Sequence, residues 1–177
     1  LATEPFQIVG MADNRWQGDR TQRTALRFRD GVTLPVKWAR SEPGGFALNN
    51  QPRYELAAYR LQALFLDRAD WVVPPTALRV LPLRVYRQLD PQLEPTFDGT
   101  SSVLVVVQYW LEGVEPFLRP DSTRLHDDAY ATRLANLNLL TYLIRHADSN
   151  HGNVLIARAG EPRMFTVDNG VSFGSPD

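Results

Sequence analysis

Two polar clusters in the last third of the chain constrain its fold and chemistry more than any other feature. The first contains His146, Asp148 and Asn153, and the second is Asp168-Asn169-Gly170. Each cluster adjoins a short apolar run, at residues 154–156 and 164–167, that predicts a β-strand. Carboxylate and amide oxygens are ligands that hard cations accept. The clusters therefore predict a site for a cation and a phosphate chain.

The first half of the chain predicts a small antiparallel sheet. Residues 6–10 and 24–29 have strand patterns, and Asp30-Gly31 predicts a tight turn into a third strand at 32–38. Pro35 interrupts that third strand, so we expect the strand to be irregular or to lie at an edge of the sheet. Two further strand patterns follow at 77–87 and 103–110, joined by a loop at 90–102.

Two segments have the apolar spacing of helices. Residues 53–65 predict a short first helix, and a second, long helix is expected to begin at Asp121 or Ser122 and to run to about Ile144. The apolar face of the first helix comprises Tyr54, Ala57, Ala58, Leu61, Leu64 and Phe65. The stripe on the second comprises Leu134, Leu137, Leu140, Thr141, Leu143 and Ile144, and its width predicts a buried helix.

The chain is expected to have an α+β fold with two lobes. Residues 1–113 would form the first lobe with its connector, and residues 114–177 would form the second, with a hairpin around Ala159-Gly160. The chain starts at Leu1 without a leader, which suggests a processed form.

Composition excludes several classes of function. The formal net charge is only −1, so no overall field favours nucleic acid or an anionic membrane. The chain has no cysteine, which excludes disulfides and thiolate chemistry, and no apolar run approaches the ~20 residues that span a bilayer. Secreted, periplasmic and cytoplasmic locations all stay open.

Five residues together match what phosphoryl transfer from a nucleotide needs. Such chemistry requires a cationic side chain on the phosphates, a carboxylate that holds that cation, oxygen ligands for Mg²⁺, and a carboxylate facing the acceptor hydroxyl. The residues that can supply these parts are Lys37, Glu55, Asp148, Asn153 and Asp168.

The order and spacing of these residues resemble the protein-kinase fold. His146, Asp148 and Asn153 keep the spacing of the kinase catalytic loop, and Asp168-Asn169-Gly170 stands where kinases have Asp-Phe-Gly. The Asp-Asn-Gly form is more similar to the atypical branch, which includes phosphoinositide 3-/4-kinase-like proteins and secretory-pathway kinases. Residues 55–59, followed by Val73-Pro74-Pro75-Thr76, resemble bacterial members of that group.

The resemblance implies a role for each matching residue, with ATP and Mg²⁺ as cofactors. Lys37 would contact the α- and β-phosphates and Glu55 would pair with it, while Asp148 would act as the base or orient the hydroxyl. Asn153 and Asp168 would hold the metal. The segment from Gln108 through Tyr109, Trp110 and Leu111 to Glu112 would meet the adenine through its backbone.

The chain also departs from the kinase pattern. No Gly-x-Gly-x-x-Gly is present, Gly10 and Gly18 being a poor substitute, and Ala147 replaces the arginine of the catalytic loop. Only residues 171–177 follow Asp168-Asn169-Gly170, so the expected second lobe is truncated and lacks most of the acceptor-binding part.

These observations lead to one preferred function and several alternatives. We expect an ATP- and Mg²⁺-dependent phosphotransferase acting on a hydroxyl of a protein, lipid or small molecule. A nucleotide-binding pseudokinase with a regulatory role and a kinase-like AMP transferase are the alternatives. Asp148 and Asp168 could also serve a glycosidase, and each cluster alone could be an ordinary turn. His126, His146 and His151 lack the convergence that a zinc site needs.

Overall fold

The computed structural model describes residues 1–12, 21–47, 51–87, 90–148 and 150–174 and shows a mixed α+β chain. The chain divides into two compact units. The first consists of Leu1–Pro52 and Pro75–Trp110, and the second of Arg53–Pro74 and Leu111–Asp177. The segment 1–113 that the sequence assigns to one lobe therefore contributes to both units, because 53–74 belongs to the second.

The first unit is built on a five-stranded antiparallel sheet with the order β1-β2-β3-β5-β4. Its strands are β1 (Phe6–Met11), β2 (Thr21–Phe28), β3 (Thr33–Arg40), β4 (Thr76–Pro82) and β5 (Ser102–Tyr109). A short helix, α2 (Leu83–Tyr86), follows β4. The strand predictions at 6–10, 24–29, 32–38 and 103–110 are confirmed, and so is the turn at Asp30-Gly31, where Gly31 has φ 85°.

Alternation along the strands builds the core of the first unit. Every second residue of β2, β3 and β5 faces one apolar layer, which α2 also enters. This core comprises Leu26, Phe28, Val36, Trp38, Leu83, Tyr86, Val103, Val105 and Val107. Inside it the Trp38 indole N–H donates to the Tyr86 hydroxyl at 2.9 Å. Lys37 and Gln108 alternate to the opposite face.

Pro35 does not place β3 at an edge of the sheet, so the edge alternative is wrong. β3 lies between β2 and β5, and its pairing with β5 extends only from Val36 to Arg40. The Pro35 carbonyl accepts a hydrogen bond from the N–H of Trp110 at 3.0 Å, beyond the last paired residue. The missing proline N–H therefore faces the end of the ladder, where its loss costs no strand pairing.

The predicted strand at 77–87 is also too long. β4 ends at Pro82, and the N–H of Leu83 donates to the carbonyl of Ser101 at 2.9 Å as the chain turns into α2. Since the N–H of Leu83 points at β5, the nitrogen of Pro82 faces the free edge of β4, where a missing N–H costs no pairing. The segment between β1 and β2 that contains Gly18 lies outside the described residues.

The second unit combines helices with a three-stranded antiparallel sheet of order β6-β7-β8. Its strands are β6 (Val114–Pro116), β7 (Val154–Ala157) and β8 (Met164–Thr166). Its helices are α1 (Pro52–Leu61), which belongs to this unit from Arg53 onward, and α3 (Asp128–Leu143). Short 3-10 turns lie at Gln62–Leu64, Arg68–Asp70, Ser122–Arg124 and His151–Asn153. The predicted hairpin of β7 and β8 is confirmed.

One face of α3 packs into the core of this unit. That core comprises Ala58, Val72, Val73, Tyr130, Leu134, Leu137, Leu140, Ile144 and Met164. The expectation of a buried helix is met on this face only, because Leu143, part of the predicted stripe, is 46% exposed. Spacings of three and four residues keep 134, 137, 140 and 144 on one side of a helix and turn 143 outward.

Both predicted helices have different limits in the structure. The Asp127 carboxylate accepts the N–H groups of Ala129 and Tyr130 and caps α3, whereas Asp121 caps the short turn before it. The α-helical part of the first helix stops at Leu61, and Leu64, at the end of the 3-10 turn that follows, is 79% exposed. Within the described part of the chain, no helix is both long and apolar enough to cross a membrane.

Candidate functional site

The β7–β8 hairpin brings Asn153 and Asp168 to the same end of the small sheet. Val154 and Thr166 are register partners at that end, and the N–H of Val167 donates to the Asn153 carbonyl at 2.9 Å. Asn153 directly precedes β7, and Asp168 is the second residue after β8. An antiparallel hairpin thus joins two polar clusters that are 15 positions apart in the sequence.

A tight turn presents Asn153. The side-chain oxygen of Asn150 accepts the N–H of Gly152 at 3.0 Å. The backbone carbonyl of Asn150 accepts the N–H of Asn153 at 2.9 Å. Asn153 itself is only 4% exposed, and its Nδ2 has no hydrogen-bond partner among the described residues. The unpartnered Nδ2 is a hydrogen-bond donor and is free to bind an acceptor atom of a ligand. A cation would bind the side-chain oxygen instead, so Asn153 is a candidate cation ligand through Oδ1.

The end of α3 delivers Asp148 to this region. Arg145 adopts a left-handed conformation (φ 48°), and the N–H groups of Arg145 and His146 donate to the carbonyls of Tyr142 and Thr141. These two bonds form a Schellman ending, which satisfies the last carbonyls of a helix. The carboxylate of Asp148 is half-buried and accepts the N–H of Asn150 at 3.1 Å.

A backbone hydrogen bond joins the Asp148 loop to the segment after Asp168. The N–H of Ala147 donates to the carbonyl of Val171 at 3.0 Å, and the N–H of Phe173 donates to the carbonyl of Ile144. The two polar clusters are therefore connected twice, once through the β7–β8 hairpin and once through these bonds. Asp148, Asn153 and Asp168 belong to one cross-linked part of the second unit.

Asn169 supports the loop around Asp168. Asp168 has a positive φ of 57°, which is uncommon for a residue other than glycine. Its neighbour Asn169 is fully buried, and the hydroxyl of Thr166 donates to the Asn169 side-chain oxygen at 3.1 Å. The Asn169 side chain thus turns back onto β8 and holds the bend. The sequence predicted Asp-Asn-Gly as a motif but gave no role to Asn169 or Thr166.

Glu55 reaches the same loop from α1. Its carboxylate is 3% exposed and accepts the backbone N–H of Asn169 at 3.1 Å. The glutamate that the sequence singled out therefore anchors the residue next to Asp168. The sequence contains no local signal for this contact, since 114 positions separate the two residues.

Lys37 belongs to the first unit and lies in a polar row across its sheet. It is 8% exposed on β3, where its register partners are Arg23 on β2 and Gln108 on β5. Gln108 in turn faces Thr76 on β4, and its amide donates to the Thr76 hydroxyl at 2.9 Å. Arg23 and Thr76 were missed from the sequence, because only strand register shows them to be neighbours.

The segment expected to meet adenine leaves β5 and passes into the second unit. The N–H groups of Tyr109 and Trp110 donate to the carbonyls of Pro75 and Pro35 at 2.8 and 3.0 Å. Gln108 pairs on both sides within the sheet. The backbone donors of Tyr109 and Trp110 are therefore used inside the first unit, and Leu111 is the first residue of the second.

The oxygen atoms that could bind a metal ion here suit a cation that takes few protein ligands. Among the described residues, no three His, Cys, Asp or Glu side chains form a cluster that could enclose a metal ion. Asp168 and the Asn153 amide offer one carboxylate and one carboxamide. Mg²⁺ is commonly held by one or two protein carboxylates, with water and phosphate oxygens completing its shell. The donor set is compatible with Mg²⁺ bound together with a phosphate chain.

Comparison of the sequence with models of known protein families gave no match. Comparison with curated proteins gave no match either.

Proposed function

We propose that this protein is an ATP- and Mg²⁺-dependent phosphotransferase with a kinase-like fold of the atypical, phosphoinositide-kinase-like branch. The acceptor would be a hydroxyl group of a protein, a lipid or a small molecule. The observation that carries the proposal is the β7–β8 hairpin, which joins Asn153 and Asp168 at one end while Glu55 holds the N–H of Asn169. This arrangement follows from long-range contacts and not from the motif spacing alone.

Each residue in the proposal has a separate physical task. Asp168 and Asn153 supply oxygen ligands, and Lys37 supplies a positive charge to the α- and β-phosphates. Asp148, with a half-buried carboxylate, would accept a hydrogen bond from the attacking hydroxyl and orient it. Mg²⁺, when bound, neutralises charge on the phosphate oxygens. Catalysis of this kind consists mostly of positioning and charge stabilisation, so preformed hydrogen bonds around Asp168 favour it.

The proposal is tested most directly through Asp168. We expect Asp168→Asn to lower ATP turnover in the presence of Mg²⁺ by about 100-fold or more, as removal of one stabilising group in an active site commonly does. Turnover is measured from labelled ATP, and nucleotide affinity by isothermal titration with Mg²⁺ and with EDTA. The matched control is Asp98→Asn, which makes the same change at an exposed loop carboxylate of the first unit.

The outcomes separate the proposal from its alternatives. Equal turnover in wild type and Asp168→Asn would refute the assignment. Nucleotide binding that is unaffected by EDTA, with no turnover, would identify a pseudokinase. A mass gain of AMP and not of phosphate on an acceptor would identify an AMP transferase.

A further inference from the structure

Phe173 adopts an unfavourable backbone conformation close to the proposed site. Its φ is 63°, in the left-handed region that bulky residues avoid, and its side chain remains 37% exposed. Burial in the core therefore does not account for its position. Strain of this kind persists only where surrounding contacts impose it, and such positions are frequent in functional loops.

The contact that Phe173 makes is with the first turn of α1. Its ring centroid lies 5.4 Å from that of Tyr54, at an interplanar angle of 46°. The Arg53 guanidinium lies 4.9 Å from the Tyr54 ring centroid on the same turn, and Arg53 donates to the Tyr54 hydroxyl at 3.3 Å. Ring pairs at this separation contribute beyond the apolar area that they bury.

The same turn of α1 holds the Asp168 loop at a second point. Tyr54 is adjacent to Glu55, whose carboxylate accepts the N–H of Asn169. Phe173 is in turn bound through its N–H to the carbonyl of Ile144, at the end of α3. Residues 169–173 are thus held by α1 at both ends and by the segment that leads to Asp148.

We propose that Tyr54 and Phe173 form an aromatic clamp that positions the Asp168 loop on α1, so that ligand binding by Asp168 depends on a contact outside the ligand set. Both are positioning residues. The inference rests on the proposed function for its ligand, the Mg²⁺ complex of ATP. The ordering of the loop by the clamp is independent of that function and is measured separately.

The test replaces the ring and keeps an apolar side chain of similar size. Phe173→Leu and Tyr54→Leu each remove the ring contact, whereas Phe173→Tyr and Tyr54→Phe retain it. The matched control is Phe97→Leu, which changes another partly exposed phenylalanine in the first unit. Circular dichroism of each variant confirms that the full chain remains folded.

Two measurements are made on each variant. Hydrogen exchange of the peptide covering residues 168–174 reports the order of the loop, and the affinity for ATP with Mn²⁺ as a paramagnetic substitute for Mg²⁺ reports ligand binding. Since an aromatic pair contributes about two- to twelvefold in an equilibrium constant, we expect exchange to accelerate and affinity to fall by about fivefold in both Leu variants. The ring-retaining variants should match the wild type.

The double variant Tyr54→Leu with Phe173→Leu should be no worse than either single variant, since both remove the same contact. Unchanged exchange in Phe173→Leu, or an equal change in Phe97→Leu, would overturn the clamp. Accelerated exchange with unchanged affinity would overturn its positioning role. If the wild type does not bind ATP with Mn²⁺, the proposed function and the ligand-binding role fall together, while exchange still decides whether the clamp orders the loop.

Discussion

Replacing Gln62 by leucine should destabilise the second unit strongly, because this one side chain makes three hydrogen bonds to the backbone. Gln62 is fully buried on the 3-10 turn after α1. Its Oε1 accepts the N–H groups of Val72 and Val73 at 2.9 and 2.8 Å, and its Nε2 donates to the carbonyl of Val73 at 3.0 Å. One side chain therefore satisfies three backbone groups in the core.

The magnitude follows from those three backbone groups. Leucine has a similar volume but no polar atoms, so the N–H groups of Val72 and Val73 and the carbonyl of Val73 lose their partner. A buried polar group left without a partner costs about 1–3 kcal/mol, so for three such groups we expect a loss of about 3–9 kcal/mol. That is a large part of the ~5–15 kcal/mol that stabilises a typical protein.

The effect should extend to the proposed site. The carbonyl of Val72 accepts the N–H of Thr166 at 2.8 Å, and Thr166 ends β8 two residues before Asp168. Weakening the segment at Val72 therefore weakens the strand that carries the Asp168 loop. Hydrogen exchange should accelerate at the amides of Val72, Val73 and Thr166 together.

Urea titration of Gln62→Leu, followed by tryptophan fluorescence and by hydrogen exchange, measures both effects. Gln92→Leu makes the same replacement at an exposed loop position and should change stability by less than about 0.5 kcal/mol. Gln62→Glu retains an acceptor for the two N–H groups but loses the donor and buries a charge, so it should also destabilise. A loss below about 1 kcal/mol in Gln62→Leu would refute the reasoning.

Two further predictions concern stability. Burial raises the pKa of the Tyr86 phenol above its ordinary value, against the opposite effect of the Trp38 hydrogen bond. Since the folded state favours the neutral phenol, the contribution of Tyr86 to stability is fully present below pH ~10. That contribution is lost as the pH rises through the folded-state pKa. Tyr86→Phe leaves the Trp38 N–H without its acceptor, so it should lower the free energy of unfolding by about 1–2 kcal/mol at neutral pH. It should also reduce the loss of stability at alkaline pH, as measured by urea unfolding between pH ~7 and ~11. An unchanged loss of stability at alkaline pH would contradict this. Arg145→Gly should raise stability by about 0.5–1 kcal/mol, because glycine adopts the left-handed ending of α3 without strain, and a lowered urea midpoint would exclude it.

Local structure was largely predictable from the sequence. The turn at Asp30-Gly31 and the hairpin of β7 and β8 follow from turn residues between alternating or apolar runs, and both are confirmed. The joint spacing of Asp148, Asn153 and Asp168 indicated which residues to consider for a site. Errors occurred where several local signals competed, as at the start of α3, where Asp127 and not Asp121 provides the cap.

Only the tertiary structure decided which distant residues meet. Glu55 accepts the N–H of Asn169, 114 positions away, and Gln108 contacts Thr76 on a neighbouring strand. Periodicity and turn chemistry depend on adjacent residues, so the sequence by itself determined strands, turns and the order of the polar clusters. Strand register and helix packing depend on chain segments far apart in sequence, so the interior place of Pro35, the exposure of Leu143 and the anchoring of the Asp168 loop required the folded chain.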